Sequence, residues 1–140
     1  MLEVGSVHVH IDTEKIRKRA VDSLDKGMKS TMRTLVKKTR LKIGRTQPTR
    51  VSGGGRLYGL SPSKPGEPPK RVSGTLYNSI TFTTSTTRMS AIGAWGAPAS
   101  VDYAIDLEVG TDTMEARPYL RPVLHENRRR ILKQVVSYGF

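Results

Sequence analysis

The residues most able to support chemistry in this chain are two histidines near its N-terminus. His8 and His10 are two positions apart, so in an extended strand they share one face, where paired imidazoles could bind a metal ion. The chain contains no cysteine that could complete such a site. We favour an exposed strand face over a metal centre for this pair.

Two further groups of residues are of the types found in ligand sites but lack the spacing of a known ligand-binding motif. Asp102, Asp106 and Asp112 could bind a cation, but they do not follow the spacing of an EF-hand loop, and an acidic helix face with a subunit partner is the simpler explanation. Gly53–Gly55 is similar to a phosphate loop, yet no Gly-Lys-Ser/Thr follows it. The sequence therefore predicts no cofactor.

Catalysis needs a nucleophile with a base, a carboxylate pair in a pocket, or a metal cluster, and none has a recognisable spacing here. His125 is expected on a helix surface. Nor does the sequence contain a zinc-finger, RRM or helix-turn-helix motif. We expect a protein that is not an enzyme. Since no stretch approaches about 18 apolar residues, we also expect no membrane partner.

The 140 residues fit one domain, 1–140, whose elements follow from hydrophobic spacing and turn residues. Residues 3–11 alternate like a half-buried strand. A long amphipathic helix of about 30 residues is expected after a cap at Asp12 or Thr13, with an apolar stripe that starts at Ile16 and Ala20 and includes Met28 and Met32 as core filler.

Glycines and prolines predict a long loop over 44–72, with 46–72 as an extended arm. One helical turn near 73–79 and two antiparallel strands, 80–87 and 91–97, should follow, with Trp95 as the main aromatic of the core. A short helix containing Tyr103, Leu107 and Val109 should end at Gly110, and a last helix should run from Pro118 or Pro122 to Val136 with a broad apolar side. The expected fold class is α+β: a small antiparallel sheet packed against a long N-terminal helix and a C-terminal helix, with a long Pro/Gly-rich loop.

The net charge of +12 is unevenly distributed along the chain. Residues 12–45 carry 12 basic and 4 acidic groups, whereas residues 102–115 carry five acidic groups and no basic one. The basic helix has three possible explanations: a solvated face, a DNA-facing surface or a head-to-tail contact between subunits. The residues expected to face DNA are Lys29, Arg33, Lys37 and Lys38.

Four short motifs occur in a fixed order: Pro65-Gly66-Glu67-Pro68-Pro69, Ser73-Gly74-Thr75-Leu76 leading to Ser79-Ile80, Tyr103-Ala104 leading to Leu107-Glu108 and Gly110-Thr111, and Ala116-Arg117-Pro118-Tyr119-Leu120-Arg121-Pro122. In this order they resemble the HK97 gp10-like family of tailed-phage tail-completion and neck proteins. The likeness covers residues 62–80 and 101–125. Val109 stands where the family commonly has an aromatic residue.

The resemblance implies a structural virion protein, made in the host cytoplasm, that forms a sixfold or twelvefold ring at the head–tail junction. It implies self-association and contacts with head-completion or connector, tail-terminator or tail-tube proteins, with packaged double-stranded DNA in the central channel. The residues we expect at subunit or partner interfaces are Pro65, Gly66, Glu67, Pro68, Pro69, Asp106, Glu108, Arg117 and Arg121. Pairing of Arg117 and Arg121 with nearby carboxylates within one chain is an alternative, and sequence-independent DNA binding by the helix over 12–45 is the alternative function.

Overall fold

A computed structural model describes residues 12–45 and 63–139 of the chain. The helices are α1 (Thr13–Arg45), α2 (Thr75–Ser79), α3 (Tyr103–Val109) and α4 (Arg121–Gly139), and the strands are β1 (Thr81–Thr86) and β2 (Ala91–Gly96). This order confirms the expected α+β class with a small antiparallel sheet. The strand expected at 3–11, with His8 and His10, and residues 46–62 of the expected arm lie outside the described residues.

Helix α1 spans 33 residues, about 50 Å, and is the central element of the fold. Its cap is as predicted, because the Asp12 carboxylate accepts the Lys15 backbone N–H at 3.0 Å. The predicted apolar stripe is wrong at its start: residues 12–20 are all exposed, and Ile16 is 59% exposed. The first two turns of α1 extend past the elements that cover the rest of the helix.

The two strands form a hairpin on the middle of α1, with Phe82 paired to Trp95 and Thr84 paired to Gly93. Burial alternates along both strands, so one face packs on the helix and the other is open to solvent. A Cβ at Gly93 would lie 2.8 Å from the side chains of Met28 and Met32, so a larger residue there would require these flexible side chains to shift. Hairpin and helix therefore meet at van der Waals distance.

Helix α4 runs antiparallel to α1 along its other side. Lys42 of α1 pairs with Glu126 near the start of α4, and Gln134 donates to the Ser30 hydroxyl at 2.6 Å. Leu124 and Leu132 are 42% and 59% exposed. The apolar side of this helix is therefore narrower than predicted. None of the described helices is long and apolar enough to cross a membrane.

The core is built of two clusters joined by one indole. Trp95 packs against both clusters and donates its Nε1–H to the Thr39 hydroxyl at 3.1 Å. It is only half-buried, whereas Tyr119 is 1% exposed and has the largest of the fully buried side chains. The prediction for Trp95 therefore needs correction, because Tyr119 is the main buried aromatic among the described residues. Met32 is buried in the core as predicted.

Candidate interaction site

The four sequence motifs, which span residues 65–122, meet on one side of the molecule. The segment 63–69 is joined to the last motif by the Gly66 backbone N–H, which donates to the Ala116 carbonyl at 2.9 Å. The same motif is joined to α3 by the Arg117 backbone N–H, which donates to the Leu107 carbonyl at 2.7 Å. Helix α2 contributes Leu76 to the core cluster that also contains Ala104 and Tyr119. The site is therefore an assembly of short segments.

Glu108 is the buried acid that holds this assembly together. Its carboxylate is 8% exposed and accepts the backbone N–H groups of Tyr119, Leu120 and Arg121 at 2.8, 2.9 and 2.9 Å. These amides precede or begin α4, so the carboxylate satisfies donors that a helix start leaves free and adds favourable charge at the positive end of its dipole. This corrects the expectation of Glu108 at an interface, because its carboxylate is committed inside the subunit.

Tyr119 lies in the same interior. Its hydroxyl donates to the Ala104 carbonyl at 3.2 Å. Burial of the ring raises the pKa of Tyr119 to about 12, and the nearby Glu108 charge adds to the shift. The phenol therefore remains neutral through ordinary pH, with its single donor in use.

Gly110 ends α3 as predicted, with φ of 80°. Its N–H donates to the Asp106 carbonyl at 2.8 Å, and Thr111 then forms a bridge with Met114. A Cβ at Gly110 would lie 2.9 Å from the Met114 carbonyl oxygen and from the Ala116 nitrogen. Both the backbone angle and the lack of space require glycine at this turn.

The Pro-Gly-Glu-Pro-Pro segment forms a tight turn on the surface. Glu67 donates its N–H to the Lys64 carbonyl at 3.0 Å, and its carboxylate accepts the Lys64 N–H at 3.2 Å. Pro65, Gly66 and Glu67 are exposed, Pro68 is half-buried and Pro69 is buried. The first three residues of the predicted interface are therefore accessible to a partner, whereas Pro69 packs in the interior.

A groove of about 470 Å³ opens between this segment, α2 and α3. Its lining contains three cationic side chains, Lys70, Arg71 and Arg117, and no carboxylate. The Arg71 guanidinium lies over the Tyr77 ring, 4.3 Å from its centroid, which fixes its position. The Nε of Arg117 is buried with no hydrogen-bond partner in the described part of the chain. The groove is therefore positively charged.

Within residues 12–45 and 63–139, no ion pair joins Arg117 or Arg121 to Asp106, Glu108 or Glu115. Arg121 is exposed and contacts Glu108 through its backbone N–H. Asp106 is exposed on α3. The alternative of pairing within the chain is thus wrong for the described residues, and Asp106 and Arg121 keep charges available to a partner.

The four residues expected to face DNA do not form one surface. Arg33 and Lys37 are exposed one helical turn apart. Lys29 continues that row but pairs with Asp25 at 2.7 Å, and this bond holds the pKa of Asp25 below its usual value. Lys38 is half-exposed and lines a different groove, which also contains Glu126. Arg33 and Lys37 therefore supply the free charge of this set.

Sequence reasoning missed several residues of this site. Lys70 and Arg71 lie between the first two motifs and Tyr77 lies within the second, and nothing in their spacing indicates that an arginine will stack on a ring. Glu108 carried a weak signal, because it lies four residues after the buried Ala104 and so shares its helix face. Among the described residues no group of three or more potential metal ligands occurs.

Comparisons of the chain with protein-family models, with curated proteins and with solved structures found no match.

Proposed function

We propose that this chain is a structural protein of a tailed-phage virion, forming a ring at the head–tail junction that joins tail to head and surrounds the DNA channel. The four ordered motifs support this proposal, since they are the residues that resemble tail-completion and neck proteins. Their convergence on one side of the fold supports it further, because segments that serve a common contact need to be neighbours.

The observation that carries the proposal is the separation of exposed charge. Four exposed acidic side chains that form no ion pair with the described residues lie together in 102–115, and these are Asp102, Asp106, Asp112 and Glu115. Exposed basic side chains lie along α1, and a groove with three cations lies beside α2. Charges of opposite sign on different parts of one subunit favour a heterologous contact between copies, and such a contact forms a ring when it closes.

In this proposal the ring is sixfold or twelvefold and contacts connector, terminator or tube proteins at its two ends. Pro65, Gly66 and Glu67, with Asp106 and Arg121, are the accessible candidates for those contacts. Arg117, whose Nη1 donates to the Met114 sulfur at 3.7 Å while its buried Nε has no hydrogen-bond partner among the described residues, positions the groove lining. The chain is made in the host cytoplasm and becomes part of the virion.

The proposal is tested by deleting residues 48–68, which removes most of the arm and the whole turn that contains Glu67. We expect a deletion protein that keeps its helical circular dichroism but yields heads and tails that remain separate. Glu67→Ala serves as a milder companion variant that leaves the turn backbone in place. Fully infectious particles from the deletion would contradict a role for this segment in joining.

Sequence-independent DNA binding is a second candidate, favoured by the free charges of Arg33 and Lys37. Double substitution of both residues to Glu should then weaken binding to a duplex of any sequence and flatten the dependence of affinity on salt. Reversing Arg128 and Arg129, which are exposed on α4, provides a control of equal charge change. Equal losses in both variants would point to net charge alone and count against a DNA surface on α1.

A further inference from the structure

The hairpin is unusual in this chain for its lack of charge. Residues 72–101 contain one charged residue, Arg88, in a chain with 24 basic and 12 acidic residues. Solvated surfaces of small domains normally mix both charges, whereas the centres of protein interfaces are depleted of them. The hairpin thus has the composition of a buried contact.

Its outer face is nevertheless open to solvent. Thr81, Thr83 and Ser85 of β1 are exposed, as are Ile92 and Ala94 of β2. Ile92 is 66% exposed, and Met89 in the turn is 94% exposed. Each strand is six residues, about 20 Å long. The face therefore presents uncharged and β-branched side chains to water.

The strand edges are also open. The only sheet among the described residues has two strands, and no backbone hydrogen bond joins its outer edges to any other described segment. Unpaired N–H and C=O groups along an edge are satisfied by another strand, and natural proteins usually prevent this with charge, proline or a bulge. Neither β1 nor β2 has a charged residue or a proline.

We propose that this hairpin is the contact between neighbouring copies, with the β1 edge of one copy pairing with the β2 edge of the next to make a continuous sheet. An open strand edge can bind another strand through backbone hydrogen bonds, and the lack of charged side chains along this edge favours an uncharged strand. Among the described residues, such strands occur in the hairpin itself. Pairing of unlike edges propagates from copy to copy, as a ring requires, and in this respect the inference rests on the proposed function.

A charged residue on the outer face tests the contact in any register. Thr83→Lys puts a charge on the edge strand β1, which is one of the means by which natural proteins prevent pairing of an open edge, and we expect it to reduce the self-association of the wild-type chain in light scattering. His125→Lys, on the exposed side of α4, is the matched control and should keep the wild-type mass. Matching melting curves would show that all three proteins are folded, and Ser85→Lys repeats the test at a second outward position.

Cysteine cross-linking tests which edges meet, because the chain has no cysteine of its own. Single cysteines are placed at Thr81, Thr83 or Ser85 of β1 and at Ile92 or Ala94 of β2. Mild oxidation of a mixture of β1 and β2 variants should give a disulfide-linked dimer, whereas each variant alone, and a mixture with His125→Cys, should not.

Three results would overturn the inference: a wild-type chain that stays at 15.5 kDa at all concentrations, a Thr83→Lys variant with wild-type mass, or cross-linking within a single variant. Failure of the ring proposal is a separate result, since it would appear as absence of the chain from assembled particles. If the chain is found in particles and Thr83→Lys does not change their assembly, the hairpin contact is contradicted and the ring proposal is not.

Discussion

The Glu108 carboxylate connects α3 to the start of α4 through three backbone N–H groups, so most of the site depends on one side chain. Loss of the carboxylate would leave these donors without their partner at a buried position, which costs more than the loss of an exposed hydrogen bond. At this scale, the most buried acid among the described residues serves to position backbone segments.

Replacing Glu108 with Ala should lower the free energy of unfolding by about 2–4 kcal/mol, because several charge-assisted bonds and a helix cap are lost together. Glu115→Ala is the control, since Glu115 is exposed and should change stability by less than about 0.5 kcal/mol. Urea denaturation measures both. A Glu108→Ala protein as stable as the control would contradict the bridging role.

Tyr119 gives a pH dependence with a definite sign. Its pKa is raised from 10 to about 12 in the folded protein, first by burial and then by Glu108. A raised pKa favours the protonated folded state, so this contribution to stability is complete below pH 10 and is lost as the pH rises towards about 12. Urea denaturation between these pH values should show decreasing stability, and Tyr119→Phe should flatten that decrease. An unchanged slope in the Phe variant would assign the pH dependence to other groups.

The residue scale was also where sequence reasoning was weakest. Capping by Asp12 was predictable, because it depends on residue type and position along one helix. The roles of Glu108 and Tyr119 were not, since each depends on partners more than ten residues away. The stacking of Arg71 on Tyr77 likewise follows from how α2 packs and has no local pattern.

The secondary-structure elements were largely predictable because their signals are local. Thr-rich alternation gave β1, the small residues around Trp95 gave β2, and three- and four-residue spacing gave α1. The errors arose where tertiary packing decides which side is buried. The spacing of Ile16 and Ala20 predicts a helix face, but only neighbouring elements can cover it, and none of those described reaches these turns.

Two glycines with nearly equal φ angles allow the cost of a positive φ to be separated from the cost of a steric clash. Gly110 has φ of 80° with backbone atoms 2.9 Å from a built Cβ, whereas Gly66 has φ of 78° with nothing within 4 Å. Gly66→Ala should therefore cost about 1 kcal/mol from the backbone angle, and Gly110→Ala should cost a further 1–3 kcal/mol, roughly, from the clash. Thermal unfolding measures the difference. Equal losses would mean that the turn after α3 relaxes without cost.

Charged and uncharged surfaces lie on different parts of the molecule. The basic groove and α1, the acidic segment over 102–115, and the uncharged hairpin give one subunit three chemically distinct surfaces. A subunit that contacts several neighbours needs surfaces of different character. The proposed ring uses all three surfaces.

Electrostatic contact between copies should depend on salt. Reversing the exposed acids Asp106 and Asp112 to Lys should weaken self-association at low salt, and raising the salt concentration should weaken the wild-type contact in the same direction. Thr113→Ala, at an exposed position next to Asp112, leaves the charge unchanged and is the control. If neither salt nor charge reversal changes self-association, the electrostatic contact is contradicted and the uncharged hairpin is left as the proposed contact.

The central claim is that the chain works as a ring-forming part of a phage particle. A density map of the head–tail junction in purified particles of a phage found to encode this chain tests it most directly. We predict a closed ring of identical copies, each fitted by α1, the hairpin and α4, around the DNA channel. Particles that are complete and infectious without any copy of the chain would contradict the claim.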